Sequence, residues 1–231
     1  MIGYLSGAAR VDSEDRLLSF RRGLAQAGYV DGRNVVIETR WSDGDYGRLT
    51  AMAAELVRRP VDLIVATGGP RAGQAALSAS ATLPIAFIHG GGPVKLGLVQ
   101  SMNRPGGNAT GVSFLTAELL PKRFEPLLQL LPQATRVALM LNPNTPSAGD
   151  QQRGAEAAAR AAGVRLLVLQ ARSEAEIDAA FATLSRDRPD ALLVGTDALF
   201  GTRHKHFIAL AAQHRLPAAP TSSAARWPTV A

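Results

Sequence analysis

The sequence predicts an α/β fold of two lobes, each built on a parallel β-sheet. Three observations predict it. Seven short apolar runs punctuate the chain, segments of helical period separate them, and the order of elements in the first half recurs in the second. The runs are Ile2–Leu5, Val35–Ile37, Leu63–Ala66, Ile85–Ile88, Val137–Leu141, Leu166–Leu169 and Ala191–Val194. They are continuously apolar rather than alternating, as expected of strands covered on both faces.

The helices between them follow in order. Asp15 to Ala27 carries Leu17, Leu18, Phe20, Leu24 and Ala25 near one face, and Gly28 stops it as a C-cap. Tyr46 to Arg59 carries Leu49, Met52, Ala53, Leu56 and Val57 at helical spacing, and Pro60 ends it. Ala155 to Ala162 is Ala-rich and stops at Gly163, and Glu174 to Leu184 follows Ser173, an N-cap residue. Strands alternating with helices of this length imply right-handed βαβ units. The repeat runs helix, Ala-Gly, strand, helix, Arg-Pro, strand. Placing Pro60 on Pro189 aligns Leu63 with Leu192, Val65 with Val194 and Thr67 with Thr196. Two similar lobes follow, 1–114 and 115–231, with the boundary in or just after the Gly/Pro/Asn-rich stretch Asn103 to Gly111.

Composition narrows the function. At 231 residues, 46% hydrophobic and 19% charged, the chain is long and apolar enough for a real core. No apolar run approaches the ~18–20 residues that cross a bilayer. The absence of cysteine excludes disulfides, thiolate zinc sites and Cys nucleophiles. A net charge of +6 and a pI near 10.4 raise the question of nucleic acid. The basic residues are scattered (Arg21-Arg22, Arg58-Arg59, Arg203 to Lys205) with no aromatic-interleaved stripe, so no nucleic-acid partner is expected. Met1 is followed at once by the strand Ile2–Leu5, without a basic n-region or apolar h-region. The expectation is a cytoplasmic protein, or one whose export signal is not part of this sequence.

Ligands of open parallel sheets bind beyond the carboxyl ends of the strands. Those ends carry Ser6-Gly7-Ala8, Thr67-Gly68-Gly69-Pro70, His89-Gly90-Gly91-Gly92-Pro93, Asn142-Pro143-Asn144-Thr145-Pro146 and Thr196-Asp197. Small residues let a ligand approach the backbone, Ser, Thr and Asn supply neutral hydrogen bonds, and helix N-termini just downstream favour an anion. Ordinary βα turns need the same residues, but five such turns in two matching halves point to a ligand cleft. Asp197 either pairs with a ligand amine or caps the next helix. His89 is the histidine to place at a ligand. His204 and His206 lie two apart on a predicted helix and face different ways, so no metal site is expected, and His214 reads as a helix-end residue. The glycines match neither the dinucleotide fingerprint nor the phosphate loop, and no Gly-x-Ser-x-Gly elbow occurs. No cofactor and no catalytic constellation is predicted, hence no enzyme.

One stretch is specific. "LPIAFIHGGGPVKLGLVQSMNRPGGNATGVSF", Leu83 to Phe114, resembles the signature of ABC-transporter substrate-binding proteins of the amino-acid type, the tryptophan/tyrosine-uptake group, most closely in Arg104-Pro105-Gly106-Gly107-Asn108 through Ser113. "GLAQAGYVDGRNVVIETRW", "DLIVATGGP", "RVALMLNPNTP" and "DALLVGTDALF" are similar to further parts of the family, so the resemblance covers nearly the whole chain.

The resemblance implies a type I periplasmic-binding-protein fold: two Rossmann-like lobes with parallel sheets, joined by a hinge, the first crossing lying after Gly111-Val112-Ser113. It implies a periplasmic, monomeric protein that captures a small amino-acid-like ligand, aromatic or branched, in the inter-lobe cleft and delivers it to an ABC permease. Ser6, Gly7, Thr67, Gly68, Gly69, His89, Gly90, Ser113, Asn142 and Asp197 match the family's cleft-lining turns. In such proteins loop N–H groups and hydroxyls hold the ligand carboxylate and a carboxylate holds its ammonium. The chain departs from the family twice. Gly92 stands where the family has Asp before Pro93-Val94, and "PTSSAARWPTVA" stands where the family continues with a Gly-Gly-Leu strand and helices returning to the first lobe. A truncated C-terminal part is therefore expected. A cytoplasmic ligand-sensing module of the same fold, or a truncated non-functional relative, are the alternatives.

Overall fold

The computed structural model describes residues 1–11, 13–114 and 116–219. It divides into two compact units, Met1–Phe114 and Leu115–Ala231. The expectation of a truncated C-terminal part rests on residues 220–231, which lie outside the described residues.

In unit 1 the chain runs β1 (Ile2–Ser6), α1 (Glu14–Gln26), β2 (Ile37–Trp41), a 3-10 turn (Tyr46–Arg48), α2 (Leu49–Val57), β3 (Leu63–Thr67), α3 (Pro70–Ala79), β4 (Ile85–His89) and β5 (Ala109–Ser113). The strands form one parallel sheet in the order β2-β1-β3-β4-β5, with Ile2 opposite both Ile37 and Leu63 and His89 opposite Ser113. Side chains alternate across a strand. Leu5, Ile64, Ala66, Ile85 and Phe87 therefore meet Leu49, Leu56, Ala72 and Ala76 of α2 and α3 on one face. Ile2, Tyr4 and Val65 meet Leu17, Phe20 and Leu24 of α1 on the other.

In unit 2 the order is α4 (Phe124–Leu130, after a 3-10 turn Pro121–Arg123), β6 (Arg136–Leu141), α5 (Ala148–Ala161), β7 (Arg165–Gln170), α6 (Glu174–Asp187), β8 (Ala191–Val194), α7 (Ala198–Thr202), α8 (His204–Gln213) and β9 (Ala218–Ala219). The sheet is parallel, ordered β7-β6-β8-β9 among the described residues. Ala138, Met140, Leu192 and Val194 pack on Ile177, Phe181, Leu184, Phe200 and Phe207 of α6, α7 and α8. Val137, Leu139, Leu141 and Leu193 pack on Leu120, Phe124, Leu127, Ala155 and Ala159 on the opposite face.

The repeat seen in the sequence has a structural basis: β2-β1-β3 and β7-β6-β8 occupy the same places in their sheets. Its Ala-Gly ends are helix stops. Gly28 (φ 87°) and Gly163 (φ 68°) follow the last turns of α1 and α5 in the left-handed conformation that glycine adopts without strain. The Ser173 side chain accepts a hydrogen bond from the Glu176 N–H, the N-cap role expected of it.

Four elements differ from expectation. β2, at 37–41, begins at the last residue of the expected apolar run Val35–Ile37 and continues past it. It is a sheet edge whose Glu38 and Arg40 pair with each other at 2.9 Å, so polar residues extend it. The segment 46–59 opens as a 3-10 turn before α2 begins, the Asp45 side chain accepting from the Gly47 N–H at 3.0 Å. α5 begins at Ala148, a full two turns before Ala155. The β5 strand continues the first sheet, although Thr110, Gly111 and Val112 are exposed and show no apolar run.

Candidate functional site

The sequence-predicted residues of unit 1 fall along the carboxyl edge of its sheet. Ser6 and Gly7 leave β1 beside Thr67 and Gly68, which leave β3. The Gly7 N–H donates to the Thr67 carbonyl at 3.0 Å, and the Ser6 Oγ accepts from the Ala8 N–H at 3.2 Å. Ser42, itself buried, locks the outer side: its Oγ donates to the Gly7 carbonyl at 3.1 Å. The two loops touch backbone to backbone. A β-carbon on Gly7 would lie 2.4 Å from the Gly68 oxygen, and one on Gly68 2.6 Å from the Ala8 nitrogen, with Gly68 at φ 68°. Only glycine fits at either place. Gly69 (φ 111°) then turns the chain into α3, whose first residue is Pro70. The Thr67 side chain is hydrogen-bonded to the Tyr4 hydroxyl, whose pKa burial pushes up.

His89 ends β4 with 5% of its surface exposed. Its Nδ1 accepts from the Gly91 N–H at 3.0 Å. In the neutral ring the proton therefore sits on Nε2, which is buried and has no hydrogen-bond partner among the described residues. Burial lowers the His89 pKa to about 4, so the ring is neutral at pH 7. Ser113 faces His89 across the β4–β5 ladder, and its Oγ donates to the Gly91 carbonyl. Gly91 is thus held from both strands, with Gly90 between it and His89.

Unit 2 has its own edge. The Asn142 amide donates to the Asp197 carboxylate at 2.9 Å, and the same oxygen accepts from the Leu199 N–H at 3.0 Å. Asp197 is thus the N-cap of α7. The helix cap expected of it as one alternative is present. Asn142 is buried, and its own oxygen accepts from the Asn144 N–H at 3.0 Å.

Sequence reasoning missed two residues here. Gln151, 1% exposed, bridges to Thr196 through both amide ends, accepting from its N–H at 2.6 Å and donating to its carbonyl at 3.0 Å. Arg123 donates from Nη2 to the carbonyls of Val194 (2.9 Å) and Ala219 (3.0 Å). A polar residue on the inner face of an Ala-rich helix was the available signal for Gln151; Arg123 had none.

The other histidines carry packing roles. His206 pairs with Asp178 at 2.6 Å, and His204 contacts the Gly201 carbonyl. His214 Nδ1 meets the Ser185 hydroxyl at 2.6 Å, and the same hydroxyl lies 3.0 Å from the Phe181 carbonyl. A surface depression of about 260 Å³ lined by Arg40, Glu55, Arg58 and Arg59 is crossed by an Arg40–Glu55 pair at 3.0 Å. Among the described residues no group of three or more His, Asp or Glu could hold a metal ion. No helix among them is long and apolar enough to cross a membrane.

Comparison with known proteins adds the following. The family model described as "ABC transporter substrate binding protein" matches residues 10–227. A tyrosine-binding protein of Clostridioides difficile (strain R20291) is 33% identical over 123 residues, which is 53% of this chain and 35% of that protein, so the match spans about a third of its length. A conserved domain protein from Vibrio cholerae superposes with a TM-score of 0.84 at 22% identity, over 94% of this chain and 72% of that one. The ABC domain in complex with L-Trp from Streptococcus pneumonia gives 0.82 at 23%, over 96% and 74%. These likenesses, with those to periplasmic binding proteins, show the type I periplasmic-binding fold.

Proposed function

This chain belongs to the ABC transporter substrate-binding protein family, and we propose that it captures a small amino-acid-like ligand, aromatic or branched, and delivers it to an ABC permease. The match over residues 10–227 carries the reading. The tyrosine-binding relative and the L-Trp complex of a protein with the same fold support the ligand class.

In this reading the glycine-lined ends of β1 and β3 bring backbone N–H groups and the Ser6 and Thr67 hydroxyls to the ligand. Gly69, Gly90 and Ser113 extend that polar surface. His89 supplies its Nε2–H, a buried donor whose missing partner costs free energy until a ligand acceptor satisfies it. In the second unit Asn142 and Asp197 are the candidate contacts, the Asp197 carboxylate being suited to a ligand ammonium. The protein works as an extracytoplasmic, non-enzymatic monomer without a nucleic-acid partner.

A thermal-shift screen against the amino acids tests this. A ligand at ~100 times its dissociation constant stabilises by about 2.7 kcal/mol. At about 2–4 °C per kcal/mol for a chain of this size, that is roughly 5–10 °C. A shift of that size with one amino-acid class is expected; a cooperative melt that no amino acid moves contradicts the proposal.

A further inference from the structure

We infer that Arg123 anchors the carboxylate of the ligand at the carboxyl edge of the second sheet. The inference rests on the solute-binding reading above and supplies a cationic group that the neutral loops lack.

Arg123 closes the 3-10 turn before α4 and reaches over the ends of two strands. Its Nη2 donates to the last carbonyl of β8 and the last of β9. That clamp uses one terminal nitrogen. The other, Nη1, is buried and has no hydrogen-bond partner among the described residues. No ion pair between Arg123 and a carboxylate occurs among them either. Burial alone lowers its pKa, to about 10, so the guanidinium is charged at neutral pH. A buried cation without a counter-charge is costly. A role confined to pinning β9 against β8 explains Nη2 and leaves Nη1 unexplained.

The chemistry of the uncommitted donor selects the ligand group. Guanidinium presents a rigid, planar set of N–H donors that matches a carboxylate, with bonds stronger than those between neutral groups. Arg123 as a residue is only partly buried, although its Nη1 is covered. Asp197 stands three residues beyond Val194, whose carbonyl Arg123 holds. One sheet edge thereby offers a cation for the carboxylate and an anion for the ammonium of a zwitterion.

Isothermal titration of the full chain with L-tyrosine and L-tryptophan, and with tyramine and tryptamine that lack the carboxylate, tests this. The wild type is expected to bind the amino acids roughly 10- to 100-fold more tightly than the amines, the worth of hydrogen bonds to a charged group. In Arg123→Gln that preference collapses toward unity, and Arg123→Lys falls between. A purely structural role would weaken both ligand series alike and leave the ratio in place. Equal binding of acids and amines by the wild type overturns the anchor while the solute-binding reading stands. A preference retained by folded Arg123→Gln overturns it as well. No binding by any amino acid overturns both. If Arg123→Gln does not fold, the wild-type ratio and Arg123→Lys decide.

Discussion

Acidification should weaken this protein through His89, and the size of the effect follows from its burial. The ring is neutral and 5% exposed, with a pKa lowered to about 4 from an ordinary 6.5 because burial disfavours the charged form. The unfolded chain takes up a proton below pH 6.5 and the folded chain only below about 4, so the unfolded state binds more protons in between. Stability contributed by neutral His89 is therefore complete above pH 6.5 and is lost as pH falls toward 4. Between pH 7.5 and 4.5 the loss works out at about 2.5 kcal/mol, from ~1.36 kcal/mol per unit over a little under two effective units. His89→Gln keeps an acceptor for the Gly91 N–H and removes the titration. Urea denaturation of both proteins at a series of pH values isolates the difference, since every other titrating group is common to them. The variant should lose about 2.5 kcal/mol less than the wild type over that range. Identical pH profiles would refute the buried, neutral assignment of His89.

Two further outcomes follow from the loops. Gly68→Ala places a β-carbon 2.6 Å from the Ala8 nitrogen at φ 68°, combining left-handed strain with a backbone overlap. It should cost about 2–5 kcal/mol in urea denaturation. Gly28→Ala at φ 87° meets nothing within 4 Å and should cost only about 1–2 kcal/mol; equal losses would contradict the close packing of the β1 and β3 loops. Asp197→Asn keeps an N-cap residue at α7 while removing the charge proposed to face the ligand ammonium. The ligand-free melting temperature should stay within about 2 °C of the wild type, with amino-acid affinity reduced roughly tenfold or more in titration. Unchanged affinity would remove Asp197 from the ligand.

The buried strands were legible in the sequence because both of their faces are covered. β1, β3, β6 and β8 need apolar side chains on every residue or nearly so, and that leaves an unmistakable run. The edges were legible unevenly: the run Leu166–Leu169 marked β7, Val35–Ile37 marked only the approach to β2, and no run marked β5. β2 pairs its Glu38 and Arg40 with each other, and β5 exposes the centre of Ala109–Ser113, so neither needs an apolar run. β9 spans only two residues. The same contrast runs through the site. Ser6, Gly7, Thr67 and Gly68 were readable because a backbone-to-backbone approach demands small residues at strand ends, and the structure brings these four together. Arg123 was unreadable because its partners are main-chain carbonyls 71 and 96 residues away, which leave no mark in local sequence. Asp197 carries both a cap and a contact to Asn142, and no local pattern separates a cap from a ligand group.

The most direct measurement is isothermal titration of the purified chain at neutral pH with L-tyrosine, L-tryptophan and L-leucine, each in turn. Saturable binding of one of them with one site per chain is the predicted result. A chain that melts cooperatively yet takes up none of the three, nor any other amino acid, would contradict its role as an amino-acid-binding protein.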